Sequence, residues 1–293
     1  MNEGLQYSME MIYNGLRVEY LEEGKGPLVV LLHGWGSNKE LYGNLMKTLA
    51  VKYRVVAPDM PGAGKSQEPA EAWSVDDYCD FVEYFIQRLL DDAVGRKEHE
   101  EALDAEGAVA SDGRKRENGE KQQVILAGHS HGGRVLIKLL GARELPFEVT
   151  KLILIDSAGL VPEKTPEQLK KMKRYKQGKK LLSLPPVKLL FPNALEKFQS
   201  KSGSADYRSA TPIMRQTMVK VVNEDVREYL GNIKAETLLV WGDKDTATPL
   251  SDGKYMESKI PGSGLAVLPG AGHFSFLDNQ YQFLAVMRSF LQV

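Results

Sequence analysis

The 293-residue sequence predicts an α/β protein: a mostly parallel central sheet with helices on both faces and an inserted helical cap. Three observations lead there. Five short runs are apolar almost throughout rather than at alternate positions: Leu28 to Leu32, Val124 to Ala127, Leu152 to Ile155, Thr237 to Trp241 and Leu265 to Leu268. That is the pattern of strands buried on both faces. Helical stretches with recognisable start signals alternate with these runs. The chain also opens on two segments joined by Asn14-Gly15, a dipeptide suited to the type I′ turn of a hairpin, so antiparallel strands are expected at one edge.

In chain order, the hairpin comprises Tyr7 to Tyr13 and Leu16 to Leu21. After the first apolar run, Ser37 stands three residues before Glu40, the spacing of a capping box ahead of a helix over Asn38 to Ala50. Arg54 to Ala57 forms a sixth, weaker strand. Ser74 and Asp77 repeat the capping pattern before a helix over Tyr78 to Leu90. Helices are also predicted over Arg134 to Leu140 and Asn279 to Leu291. Two segments interrupt the alternation. Gly95 to Gln122 carries 14 charged residues in 28 and no aromatic residue. It buries too little surface to offset its ordering entropy, which predicts a flexible insertion with at most a short helix near Glu98 to Glu106. Val161 to Gly231 has no strand-like run and six prolines, and reads as a mostly helical excursion. The expected organisation is therefore a core of residues 1–160 and 232–293, with a cap at 161–231.

Composition narrows the function classes. Lys plus Arg number 38 against 39 Asp plus Glu, a net charge of −1, so no excess of positive charge is available for nucleic acid. A single cysteine, Cys79, excludes an intrachain disulfide and a thiolate metal cluster. No basic-then-apolar leader is visible over Met1 to Glu10, and no apolar run reaches 18 residues. A soluble, cytoplasmic chain without stable membrane insertion is expected.

The most informative stretch is Gly128-His-Ser-His-Gly132, placed after an apolar strand and before a helical run. A serine on so sharp a turn is raised above the sheet at a helix N-terminus, where a developing negative charge is favoured. A plain helix-capping turn is the bland alternative. Ser130 needs a base. His99 lies in the charged insertion, His33 ends a strand, and His129 and His131 flank Ser130 with side chains that diverge from its hydroxyl. That leaves His273 in the loop Pro269-Gly-Ala-Gly-His273 after the last apolar run. A carboxylate must hold that imidazole in one tautomer. Asp243 and Asp245 follow Thr237 to Trp241, and Asp156 after the preceding strand is a rival whose simpler role is structural. The glycines of His33-Gly-Trp-Gly36 let the Trp35 N–H turn toward the nucleophile. The N–H of His131 would supply a second oxyanion donor.

These motifs, together with Asp59-Met-Pro-Gly-Ala-Gly-Lys-Ser66 and Asp156-Ser-Ala-Gly159, resemble the α/β-hydrolase superfamily in its cap-bearing serine hydrolase branch. The resemblance spans nearly the whole chain. It implies Asp245 rather than Asp243 as the acid, and Trp35 and His131 as the oxyanion donors. Serine at the elbow argues against the branches whose nucleophile is a carboxylate. The implied activity is hydrolysis of a small-molecule carboxylic ester through an acyl-enzyme, with no cofactor and no metal. A carbon–carbon bond hydrolase, an aminopeptidase and a non-catalytic ligand receptor on the same scaffold are the alternatives.

Two other patterns need weighing. Gly64-Lys65-Ser66 ends like a phosphate loop, but Asp59 stands where that motif needs glycine, so Gly62 and Gly64 read as turn glycines. Val161 to Lys201 carries 11 Lys plus Arg against 3 Glu, an excess of eight positive charges in an almost neutral chain. The bland reading is a solvated basic helix over Glu167 to Lys180, followed by an apolar segment, Leu181 to Phe191, packed over the active site. The sharper reading is selection of anionic substrates, or transient contact with an anionic membrane surface.

Overall fold

The computed structural model describes residues 7–105, 121–162, 165–194, 198 and 205–293. Its eight strands are β1 (Tyr7–Tyr13), β2 (Leu16–Glu23), β3 (Leu28–Leu32), β4 (Arg54–Pro58), β5 (Gln123–His129), β6 (Glu148–Ile155), β7 (Glu236–Gly242) and β8 (Gly264–Leu268). They form one sheet in the order β1-β2-β4-β3-β5-β6-β7-β8. The β1–β2 and β2–β4 pairs are antiparallel and every later pair is parallel. Asn14 and Gly15 both take positive φ, 47° and 81°, as a type I′ turn requires.

Full burial of β3 follows from its position inside the sheet. Leu28, Val30 and Leu32 join one apolar core, and Val29 and Leu31 join the other. The first core is closed by Phe81 and Phe85 of α2 (Val75–Ala105) and Val135 and Leu139 of α3 (His131–Ala142). The second is closed by Leu45 and Leu49 of α1 (Gly43–Leu49) and by Phe283 and Met287 of the C-terminal helix, Gln280–Leu291. Each such buried side chain contributes about 1.5–3 kcal/mol relative to its exposed state.

Three local expectations are corrected. The helix after β3 is capped by Asn38, whose side chain accepts the Glu40 N–H at 3.0 Å, and begins as a 3₁₀ turn, Lys39–Tyr42. Ser37 therefore makes no capping box there, whereas Asp77 accepts from Ser74 N at 2.6 Å and Ser74 Oγ at 2.7 Å as predicted. The α2 helix does not stop near Leu90. It runs through Ala105, because its continuation contains several Glu and Ala residues and no proline. The rest of the predicted insertion, residues 106–120, lies outside the described residues.

The third correction concerns the stretch between β6 and β7. It holds helices α4 (Pro166–Leu182), α5 (Pro185–Leu190), α6 (Ala205–Ser209) and α7 (Pro212–Val222). Pro166, Pro185 and Pro212 punctuate it by starting helices, where the missing N–H would have had no intrahelical partner. Leu181 to Phe191 does not pack down: Leu189, Leu190 and Phe191 are 85%, 72% and 62% exposed. Their apolar character reported a preference for leaving water but not the surface that would receive them.

Candidate active site

The parallel strands deliver their C-terminal ends to one edge of the sheet, where ligands bind in open α/β folds. Ser130 follows β5 there, at φ 49° and ψ −112°, a strained conformation for a non-glycine residue. The turn is tight on every side. A Cβ on Gly132 would lie 2.3 Å from the Leu32 carbonyl oxygen, and one on Gly128 would lie 2.6 Å from the Gly132 carbonyl carbon. Only glycine permits the strand and helix to approach so closely.

His273, in the loop after β8, brings Nε2 to 3.0 Å from Ser130 Oγ and Nδ1 to 2.8 Å from Asp245 Oδ2. Asp245 is the better placed of the two candidate carboxylates, since Asp243 instead accepts the Gly270 N–H at 2.7 Å. The Asp245 carboxylate also accepts the N–H groups of Ala247 at 2.8 Å and Thr248 at 3.0 Å, and the Thr248 hydroxyl at 2.7 Å. Burial alone would raise its pKa, but the hydrogen bonds from His273 and Thr248 outweigh burial and hold it below the usual carboxylate range. The Gly34 backbone lies against Ser130, where a Cβ would sit 3.0 Å from the serine Cβ. The Trp35 and His131 rings meet edge to face at 5.7 Å. All five predicted site residues are thus brought together at this edge.

Two other histidines, His129 and His33, serve as ties. His129 Nε2 donates to the His273 carbonyl at 2.7 Å, joining the serine turn to the histidine loop. His33 accepts the Met60 N–H at Nε2, 2.9 Å, and donates from Nδ1 to the Gly34 carbonyl, 2.8 Å. Burial pushes both His129 and His131 down to about 3, so these imidazoles are neutral. Cys79 is buried in the first core, with its thiol pushed up to about 12 by burial, unsuited to nucleophilic attack.

Asp156 has a part that sequence reasoning missed. Completely buried and at φ 41°, it accepts the Gly242 N–H at 2.8 Å on one oxygen and the Ser275 N–H at 3.0 Å on the other. Gly242 begins the loop that carries Asp245, and Ser275 follows the loop that carries His273. Burial pushes the Asp156 carboxyl up to about 7, despite these bonds and in the company of Asp245. The only advance signal was a carboxylate placed directly after an apolar strand.

The phosphate-loop look-alike is filled by its own aspartate. Asp59 accepts the N–H groups of Lys39 and Lys65, both at 2.8 Å, and pairs with Lys39 Nζ at 2.6 Å. A Cβ on Gly64 would lie 2.2 Å from that carboxylate. Both side chains of the pair are about 1% exposed. Lys39→Met should therefore destabilise the fold by about 3–5 kcal/mol in a urea titration, because it strands a buried carboxylate.

A cavity of about 340 Å³ opens beside the Ser130 turn, walled by Trp35, His131, Met60, Tyr78 and, from the helical segment, Asp206 and Met214. Among the described residues, its wall contains two carboxylates, Glu68 and Asp206, and no Lys or Arg.

Sheet order, strained serine turn and converging loops define an enzyme-like α/β scaffold with its pocket at the strand ends. Residues 29–286 match the alpha/beta hydrolase family, and the chain belongs to it. The chain is 27% identical to the 2-hydroxy-6-oxo-6-(2'-aminophenyl)hexa-2,4-dienoic acid hydrolase of Metapseudomonas resinovorans, over 94% of this chain and 88% of that protein. It is 26% identical to the pimeloyl-(acyl-carrier protein) methyl ester esterase of Nitrosospira multiformis, over 91% and 95% respectively. The esterase from Exiguobacterium antarcticum shares the fold, with a TM-score of 0.66, 22% identity and coverage of 96% of this chain and 97% of that one.

Proposed function

We propose that this chain is a serine hydrolase that cleaves carboxylic esters through an acyl-enzyme. The observation that carries the reading is the hydrogen-bonded series from Ser130 Oγ through His273 to Asp245 at 3.0 and 2.8 Å, set on a positive-φ turn. Ser130 Oγ attacks the carbonyl carbon as its proton passes to His273 Nε2. Asp245 steadies the resulting imidazolium, and the N–H groups of Trp35 and His131 receive the oxyanion. When the tetrahedral intermediate collapses, His273 returns the proton to the departing alcohol. Water then repeats the sequence on the acyl group. Residues 161–231 act as a cap, supplying Asp206 and Met214 to the cavity wall.

The cavity also favours an ester over the carbon–carbon bond alternative. The relative named for that chemistry acts on a dienoic acid, an anion at neutral pH. Among the described residues the cavity wall here carries two carboxylates and no cation, and burial keeps His131 neutral. Its volume lies near the lower end of the roughly 300–1,000 Å³ usual for ligand pockets, which fits a short acyl chain. A fluorophosphonate probe should label Ser130, and unlabelled protein would refute the serine mechanism. In a panel of esters of equal length, neutral short-chain esters should turn over at least about tenfold faster than carboxylate-bearing ones. Faster cleavage of a dienoate than of any ester would instead favour the carbon–carbon reading.

A further inference from the structure

Among the described residues, no Lys or Arg of the helical segment lines the cavity wall. The charge faces outward instead: Lys170, Lys173, Arg174, Lys176, Lys179 and Lys180 of α4 are all exposed. Where that helix ends, exposed apolar side chains begin. Leu181 and Leu184 precede the even more open Leu189, Leu190 and Phe191. Three consecutive large apolar residues this open to water are uncommon on a surface that meets only solvent. The two features are continuous through Lys179, which also lines a groove of about 460 Å³ with Arg215 and Lys220. Among the described residues, no carboxylate contributes to the groove wall. Arg215 is held in place there by its own backbone contacts, donating to the Tyr207 carbonyl at 2.9 Å and to the Arg208 carbonyl at 2.8 Å.

We propose that this face docks on an anionic lipid surface, with Leu181, Leu184, Leu189, Leu190 and Phe191 entering the boundary between headgroups and acyl chains. Lys179, Arg215 and Lys220 then meet headgroup phosphates, while the α4 lysines reach along the surface on their flexible stems. Each cation near such a surface contributes about 1 kcal/mol, and the apolar tip adds a part that salt does not screen. A second copy of the chain is the poorer occupant. A two-fold contact through this patch would bring two strongly positive faces together.

The test is co-sedimentation of the full chain with vesicles of phosphatidylcholine alone, and of phosphatidylcholine mixed with phosphatidylglycerol. Binding to the mixed vesicles should be at least about tenfold tighter and should weaken at high salt. A Leu189→Glu, Leu190→Glu variant should lose binding to both vesicle types. A Lys173→Glu, Lys176→Glu variant should lose only the preference for anionic vesicles. Both variants keep turnover of a soluble p-nitrophenyl ester, since none of these residues lines the cavity, and that turnover reports a folded protein. Equal affinity for the two vesicle types, or no sedimentation with either, would overturn the proposal. So would a monomer–dimer equilibrium in analytical ultracentrifugation that the leucine variant abolishes.

Discussion

Ser130→Ala should leave a folded protein whose kcat on a p-nitrophenyl ester falls by about 10⁴- to 10⁶-fold. The fold survives because the substitution keeps the Cβ and all the backbone bonds of the turn. Ser130 N still donates to the Ile155 carbonyl at 3.0 Å, and Ser130 O still accepts from Ala158 N at 3.0 Å and Arg134 N at 3.1 Å. Only the bond to His273 Nε2 disappears. His273→Ala should cost a similar factor, and the double variant little more than either single one. Groups that act as one unit are strongly non-additive. That non-additivity separates an acyl-enzyme mechanism from a receptor on a hydrolase scaffold, in which each side chain would contribute its own contact energy to ligand binding. Single-turnover measurements on the three variants decide the matter. A Ser130→Ala variant that retains a tenth of wild-type turnover would remove the serine from the mechanism.

Much of this arrangement was legible in the sequence, for identifiable reasons. A two-faced strand must be apolar at every position, so Leu28 to Leu32 announced a buried parallel strand before any contact was known. A strained turn leaves room beside the serine for glycine only, so Gly128 and Gly132 marked Ser130. Asp245 was a harder choice. Two aspartates two residues apart are equivalent until the loop is folded, and the resemblance to a family separated them before the geometry did. What stayed hidden depended on contacts distant along the chain or on the absence of a partner. Asn38 and Ser37 are both good caps, and only the path of the chain shows which one meets Glu40 N. The apolar pattern of Leu181 to Phe191 is the same whether the segment covers a pocket or faces outward. The bridge made by Asp156 joins residues 86 and 119 positions away, beyond the reach of any local motif.

Asp156→Ala should lower kcat by about 10- to 100-fold while KM changes little, because the residue positions the reacting groups without lining the cavity. Its carboxylate is the fastening between the loop of Asp245 and the loop of His273. Removing it leaves the Gly242 and Ser275 N–H groups without their acceptor and lets Nε2 drift from Ser130. Asp156→Asn keeps one acceptor oxygen but turns an amide toward the other donor, so its kcat should fall between those of the alanine variant and the wild type. A purely structural role would lower the amount of folded protein without changing kcat per labelled serine, so fluorophosphonate titration provides the normalisation. Stability gives a second readout. The folded protein holds the Asp156 proton up to about pH 7, whereas an unfolded chain releases it near 3.8. Between those values the native state binds more protons than the unfolded state, so this carboxyl makes stability fall as pH rises, by roughly 1.4 kcal/mol per pH unit at most, and the fall ends above about pH 7. Asp156→Asn abolishes that dependence. Its stability relative to wild type, from urea titrations, should therefore improve between pH 5 and pH 8. A relative stability that stays level across that range, with kcat within twofold of wild type, would show that the bridge neither titrates nor aligns the loops.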